Sequence, residues 1–150
     1  MMNRRNLCQA LPLLLAGLAE SAHAAEETLS SFAKPFDQLP VKHNGQNESR
    51  SILNGITHAG CPLEAHETTL AVGAQPHPPH HHEHEELVLI EKGTVTVTIE
   101  GKSTVIGPGS ATFFRSGETH GMRNTGQEPA QYFVVAIGAQ HPEAPKPSSS

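Results

Sequence analysis

Residues 80–93 read HHHEHEELVLIEKG, in which histidines and carboxylates lead directly into four apolar residues and a short turn. Imidazole nitrogens and carboxylate oxygens suit a divalent transition metal. A strand presents alternate residues to one side, so His80 and His82 can reach one ion while His81 faces away. A bend near residues 83–85 must then bring Glu86 to the same ion. On this segment alone, the tract could equally be a loose chelator or an exposed polar loop.

A second segment, residues 109–124, reads GSATFFRSGETHGMRN and supplies His120 as the fourth candidate ligand. The two segments spell H-x-H-x3-E-x6-G and G-x5-R-x-G-x2-H-x3-N. They resemble the two conserved motifs of the cupin superfamily, G-x5-H-x-H-x3-4-E-x6-G and G-x5-P-x-G-x2-H-x3-N. Two positions depart from that pattern: Gly73 stands one residue too far from His80, and Arg115 replaces the proline. Neither position is a ligand.

The resemblance spans about residues 62–138 and implies an all-β fold, a single small antiparallel β-barrel of the jelly-roll (double-stranded β-helix) type. It implies one divalent ion, Fe, Mn, Ni, Co or Zn, held by His80, His82, Glu86 and His120. A metalloenzyme acting on a small oxygenated or carboxylate substrate is the favoured function, as a dioxygenase or a Lewis-acid isomerase, lyase or decarboxylase. The alternative is a non-catalytic, metal-dependent module that binds a sugar or small acid, because this fold alone does not select a reaction.

The residue pattern independently predicts strands. Val95, Val97 and Ile99 alternate with threonines, which places aliphatic side chains on one face and hydroxyls on the other. Residues 100–102, Glu-Gly-Lys, should form the following hairpin turn. The apolar run at residues 87–90 should form a central strand that is covered on both faces.

Strand parity also predicts the surroundings of the ion. If the ligands point inward, so do three apolar residues of matching parity, which would form the walls of the pocket: Val88, Ile90 and Met122. A further alternating row is expected to face solvent, although an inward orientation would add polar groups to the pocket: Glu64, His66 and Thr68. Three more histidines are expected at the rim or surface, with His84 as a candidate replacement ligand: His77, His81 and His84.

Arg115 is the candidate catalytic residue, because a guanidinium near His120 could hold a substrate carboxylate. The competing interpretation is a solvated residue or an ion pair with Glu118. Tyr132, the only tyrosine, could act as a general acid, but a space-filling role in the barrel is favoured.

The first 24 residues resemble an export signal, with Arg4 and Arg5 before a short apolar run and alanines at 22 and 24. The arginine pair partly matches a twin-arginine signal. We therefore expect a periplasmic or secreted protein that consists of a signal at 1–24, an irregular N-terminal arm at 25–48, one barrel at 49–140 and a disordered tail at 141–150. No membrane span is expected in the mature chain.

Charge and cysteine content limit the partners. The chain carries 10 basic and 15 acidic residues, and cleavage after Ala24 would leave a more acidic mature protein. This balance argues against nucleic acid and anionic membrane partners. The expected partner is a small-molecule substrate, as the resemblance implies. Cys8 would leave with the signal, so Cys61 would lack an internal disulfide partner. A homodimer is expected, because the side of the barrel that bears Leu87 and Leu89 needs cover.

Overall fold

The computed structural model describes residues 28–138. In this range the chain forms one short 3-10 helical turn, Phe36–Gln38, and nine strands. The strands are β1 Val41–Asn44, β2 Asn47–Ile56, β3 Pro62–Leu70, β4 Glu85–Lys92, β5 Val95–Ile99, β6 Lys102–Ile106, β7 Ala111–Phe114, β8 His120–Asn124 and β9 Ala130–Ile137. The export segment and the tail predicted from the sequence lie outside the described residues.

The strands form two sheets in which every paired neighbour is antiparallel. One sheet has six strands in the order β1-β2-β3-β9-β4-β7, and the other has three in the order β6-β5-β8. A single backbone bridge between His80 and His120 connects the segment before β4 to the smaller sheet. The prediction of an all-β jelly roll is confirmed, with two packed sheets in place of one continuously hydrogen-bonded cylinder.

The core lies between the sheets. Val95 and Val97 from the small sheet pack with Val88, Ile90 and Tyr132 from the large one. Their neighbours Thr96 and Thr98 point outward, as the alternation predicted. The hairpin turn also follows the prediction, because β5 and β6 pair from Ile99 and Lys102 outward across Glu100 and Gly101, both of which have positive φ.

Strand β4 is an inner strand of the large sheet, between β9 and the edge strand β7. Val88 and Ile90 are buried against the core, whereas Leu89 on the outer face is 44% exposed. The expectation that both faces of this strand are covered is therefore wrong for the outer face within residues 28–138. The single chain leaves an apolar surface on this side.

The described part of the expected N-terminal arm, residues 28–48, is more regular than predicted. Thr28 forms a parallel bridge with Ile56, β1 pairs along β2, and Leu39 is buried. The guanidinium of Arg50 lies 4.8 Å from the ring centre of Phe36. The hairpin formed by β1 and β2 is consequently part of the large sheet and extends its inner face. Among the described residues, no helix has the length and apolar character needed to cross a membrane.

Candidate metal centre and its cavity

Three imidazoles converge between the two sheets. The backbone N–H of His80 donates to the carbonyl of His120 at 3.0 Å, and the reverse bond measures 2.9 Å, so these residues lie side by side. His82, two residues further along the segment before β4, lies on the same side. One ring nitrogen from each of the three histidines lies within 4.8 Å of the others, a spacing that suits a shared ion.

Hydrogen bonds donated to backbone carbonyls fix the ring orientation of two of these histidines. The Nδ1–H of His82 donates to the carbonyl of His84 at 2.8 Å, and the Nδ1–H of His120 donates to the carbonyl of Glu118 at 2.9 Å. In neutral imidazoles this leaves the Nε2 lone pairs free. Both Nε2 atoms, and Nδ1 of His80, are buried without a hydrogen-bond partner in the structure. Since buried polar atoms are nearly always satisfied, these three nitrogens fit a metal ion.

The surroundings of the site keep two of its histidines neutral. Burial, reinforced by the neighbouring histidines, lowers the pKa of His80 to about 4. Burial also lowers the pKa of His82, although the Glu86 carboxylate opposes the shift. Neutral imidazole is the form that binds metal, so both residues are competent ligands at neutral pH.

Glu86 lies beside this cluster. Its Oε1 is 3.3 Å from Nε2 of His82, and its Oε2 is 3.8 Å from Nε2 of His120. The Nε2–H of His84 donates to the same Oε1 at 3.1 Å. The His84 ring also stacks on the His82 ring, with the ring centres 3.6 Å apart. His82, His84 and Glu86 thus form a second possible ligand group that shares His82 with the first. The four predicted ligands are brought together, and His84 lies within reach as a substitute.

The other histidines of the tract lie further out. His81 is exposed, as strand alternation predicted. His77 is also exposed, but its ring packs edge-on against His80 with the ring centres 4.0 Å apart. The outer histidine at 77 therefore shields one side of the cluster.

Glu86 and His120 line a cavity of about 270 Å³, whereas His80 and His82 are not among its lining residues. Its apolar wall includes Val88 and Met122, as expected, together with Phe114 and Val134. Ile90, also predicted to line the pocket, belongs to the buried core and is not among the lining residues. The cavity is near the lower end of the usual range for ligand pockets, so it suits a small molecule.

The expectation that the row beginning at Glu64 faces solvent is wrong for two of its three members. His66 and Thr68 line the cavity, and Thr68 is buried. Their side of the strand is shared with Leu70, a fully buried core residue. The parity of Leu70 was the sequence signal for this inward orientation.

Tyr132 completes the polar part of the wall. It pairs with Thr68 across β3 and β9 and shares a side-chain hydrogen bond with it. The tyrosine is 2% exposed, and burial raises its pKa well above the ordinary value, with Glu86 and Glu67 adding to the effect. The hydroxyl thus stays protonated at neutral pH. Tyr132 fills the core and also presents a hydrogen-bond donor to the cavity.

Arg115 lies outside the set of cavity-lining residues. Its side chain is 70% exposed, and its guanidinium is 3.0 Å from a carboxylate oxygen of Glu118. This is the ion pair considered as the competing interpretation of the sequence. A direct role for Arg115 in catalysis stays a prediction.

Comparisons with known proteins agree with this architecture. No curated protein matches the chain. An RmlC-like cupin from Shewanella frigidimarina superposes with a TM-score of 0.63 at 18% identity, covering 75% of this chain and 95% of that chain. KdgF from Halomonas sp. gives 0.61 at 16% identity, with 71% and 94% coverage. A predicted oxalate decarboxylase from Thermotoga maritima gives 0.60 at 19% identity, with 72% and 100% coverage.

Identities at this level show a shared fold and do not transfer an activity. The family model described as "Cupin domain" matches residues 66–136, which include all four predicted metal ligands. The chain therefore contains a small cupin domain.

Proposed function

We propose that the protein is a metalloenzyme that acts on a small oxygenated or carboxylate substrate. The observation that carries the proposal is the convergence of three buried, unpartnered imidazole nitrogens beside the Glu86 carboxylate, at the end of a partly apolar cavity. Four protein ligands leave open positions on an octahedral ion, where substrate oxygens could bind. The proposed holders of the ion are His80, His82, Glu86 and His120.

The bound ion would polarise a substrate oxygen as a Lewis acid or, if redox-active, support oxidation. The residues of the chain have separate tasks. Val88 and Met122 exclude water from one side of the cavity, which strengthens the electrostatic interactions inside it. Tyr132, fixed by Thr68, offers a protonated hydroxyl that could donate to a developing negative charge on the substrate. Which ion is bound, Fe, Mn, Ni, Co or Zn, depends on the availability of each metal in the cell as well as on the type of ligand.

The experiment that tests this function begins with the native metal. Metal content of the purified protein should be measured, followed by oxygen uptake and product formation with phenols, keto acids and uronates. A conversion that requires the metal supports the enzyme. Metal-dependent ligand binding without turnover, for any of the five candidate ions, would favour the non-catalytic binding module.

Tyr132→Phe separates the two functions further. The substitution removes the hydroxyl and keeps the ring that fills the core. In an enzyme that uses this donor, kcat should fall by about 10²- to 10⁴-fold, the usual contribution of a positioned proton donor, with little change in metal content. An unchanged kcat would assign Tyr132 to packing alone.

We also propose export of the protein, by the twin-arginine route if both arginines are needed. This proposal is based on the resemblance of residues 1–24 to an export signal, with Arg4 and Arg5 before a short apolar run. N-terminal sequencing of the periplasmic protein should give a start near Ala25, and replacement of Arg4 and Arg5 by lysine should block export. Mature protein of unchanged amount in the periplasm of that variant would exclude the twin-arginine route, and an intact Met1 on a cytosolic product would exclude export.

A homodimer is proposed from the outer face of the large sheet. Leu87 pairs with Phe113 on one side and Val135 on the other, and Leu89 and Phe113 are 44% and 50% exposed. A contiguous apolar face of this kind marks an interaction surface. Leu89→Ser with Phe113→Ser should convert a dimer to a monomer in sedimentation experiments. Val105→Ser, at a 65% exposed position on β6, is the matched control. A monomeric wild type at micromolar concentration would contradict the proposal.

A further inference from the structure

The wall of the cavity that faces away from the metal ligands is formed by the hairpin of β1 and β2. Strand pairing places Lys42 opposite Ser49, Ser49 opposite Thr68, and Thr68 opposite Tyr132. All four residues line the cavity. The cavity therefore has a polar strip that runs from Tyr132 to Lys42. With strands about 4.8 Å apart, the strip covers about 14 Å of backbone across three strand spacings.

Lys42 is the cation on this strip that is available to a ligand. In the part of the chain that the structure describes, it has no acidic partner, and no other lysine or arginine lines the cavity. Arg50 is engaged with Glu48 at 3.4 Å and with the buried Glu67 at 3.8 Å. Arg115 is engaged with Glu118.

One carboxylate, Glu48, also lies at this end of the cavity and would oppose an anionic ligand. Its oxygens are 3.4 Å from the guanidinium of Arg50 and 3.6 Å from Nδ1 of His43. Arg50 therefore offsets part of the charge of Glu48, because it also lies near Glu67. Lys42, with Asn44 and Ser49 beside it, is the cavity-lining cation that would hold an anionic group at this end.

We propose that Lys42 binds a carboxylate at the end of the substrate remote from the metal. This inference rests on the proposed metal site and narrows its substrate class to small organic acids with two separated anionic ends. One end would chelate the ion through neighbouring oxygens, and the other would reach Lys42 along the hydroxyls of the strip. A cavity of about 270 Å³ limits the substrate to a short acid.

The test uses the protein loaded with Mn(II) and calorimetric titration with two matched probe pairs. The diacids are 2-oxoglutarate and 2-oxoadipate, and the partners are 2-oxopentanoate and 2-oxohexanoate, in which a methyl group replaces the remote carboxylate. Wild type should bind a diacid about tenfold more tightly than its partner, at the low end for a charged hydrogen bond because Lys42 is exposed. Lys42→Gln should remove this preference and leave affinity for the monoacids and for Mn(II) unchanged.

Two further variants sharpen the result. Lys42→Arg keeps the charge and should keep most of the preference, and Lys92→Gln, which removes an exposed lysine outside the cavity, should keep all of it. A preference that persists in Lys42→Gln, or that is lost in Arg115→Ala instead, overturns the inference. Mn(II) binding with no preference for diacids in wild type also overturns it, while the metal site stands. Failure to bind any of the candidate ions would contradict the proposed function itself. In that case the diacids are titrated against the metal-free protein: a preference for diacids that is lost in Lys42→Gln would support the role of Lys42, and the absence of a preference would overturn it.

Discussion

Gly93 connects the two sheets, because it lies in the turn between β4, which carries Glu86, and β5, which pairs with the strand that carries His120. Its φ is +76°, a conformation that residues with a side chain rarely adopt. A Cβ at this position would lie 2.7 Å from Cα and 2.9 Å from Cβ of Ala130, the buried first residue of β9. Gly93→Ala should therefore destabilise the protein through both backbone strain and overlap.

The magnitude follows from a comparison with Gly101, in the turn between β5 and β6. Its φ is +77°, but nothing lies within 4 Å of a Cβ there. Gly101→Ala should cost only the left-handed conformation, about 1–2 kcal/mol. Gly93→Ala adds overpacking against the backbone of Ala130, about 1–3 kcal/mol more. The difference between the two variants isolates the contact with β9.

Urea unfolding of the metal-free protein, followed by circular dichroism, measures both costs. With a typical urea slope of about 1–3 kcal/mol per molar, the extra loss in Gly93→Ala should lower its midpoint below that of Gly101→Ala by about 1 M. Equal midpoints, or a smaller loss in Gly93→Ala, would refute the argument that this turn is closed by direct contact with β9.

Further predictions concern the metal centre. His82→Ala should weaken metal affinity by more than about 100-fold in a chelator competition assay, because loss of a residue that merely supports a ligand typically costs 10- to 100-fold. The control His81→Ala, at an exposed position, should leave metal affinity unchanged. Equal losses in the two variants would mean that the histidine tract is an unstructured chelator. The metal-free protein should lose stability as pH falls from 6.5 towards 4, because the unfolded state protonates His80 at its ordinary pKa while the folded state resists it. The urea midpoint should fall over this pH range, and the fall should be smaller in His80→Asn. Identical pH profiles of the two proteins would contradict the lowered pKa of His80. Thr68→Val should lower kcat less than Tyr132→Phe, because it only frees the hydroxyl that Thr68 orients, and steady-state kinetics would show the opposite order if Thr68 were the donor.

The sequence predicted much of the fold because the relevant signals are local. Alternation at residues 94–99 sets which side chains share a face, and the hairpin at Glu100 and Gly101 follows from turn chemistry. The motif spacing likewise predicted His80, His82, Glu86 and His120 as ligands; the structure groups the three histidines and places Glu86 beside His82 and His120. The alternation predicted for this segment also separated the exposed His81 from the half-buried His82.

Pairing between distant segments was decided only by the tertiary structure. Parity states that His66 and Thr68 share a face, but the packing of Leu70 into the core determines that this face is the inner one. Lys42 and Tyr132 are far apart in the chain and meet one cavity through the register of four strands, which a local pattern does not encode. Likewise, the 3.0 Å contact with Glu118 determines that Arg115 is paired outside the cavity. The sequence by itself determined the fold class and the candidate ligands; the curvature and register of the sheets decided which other side chains surround them, because those depend on contacts summed over the whole chain.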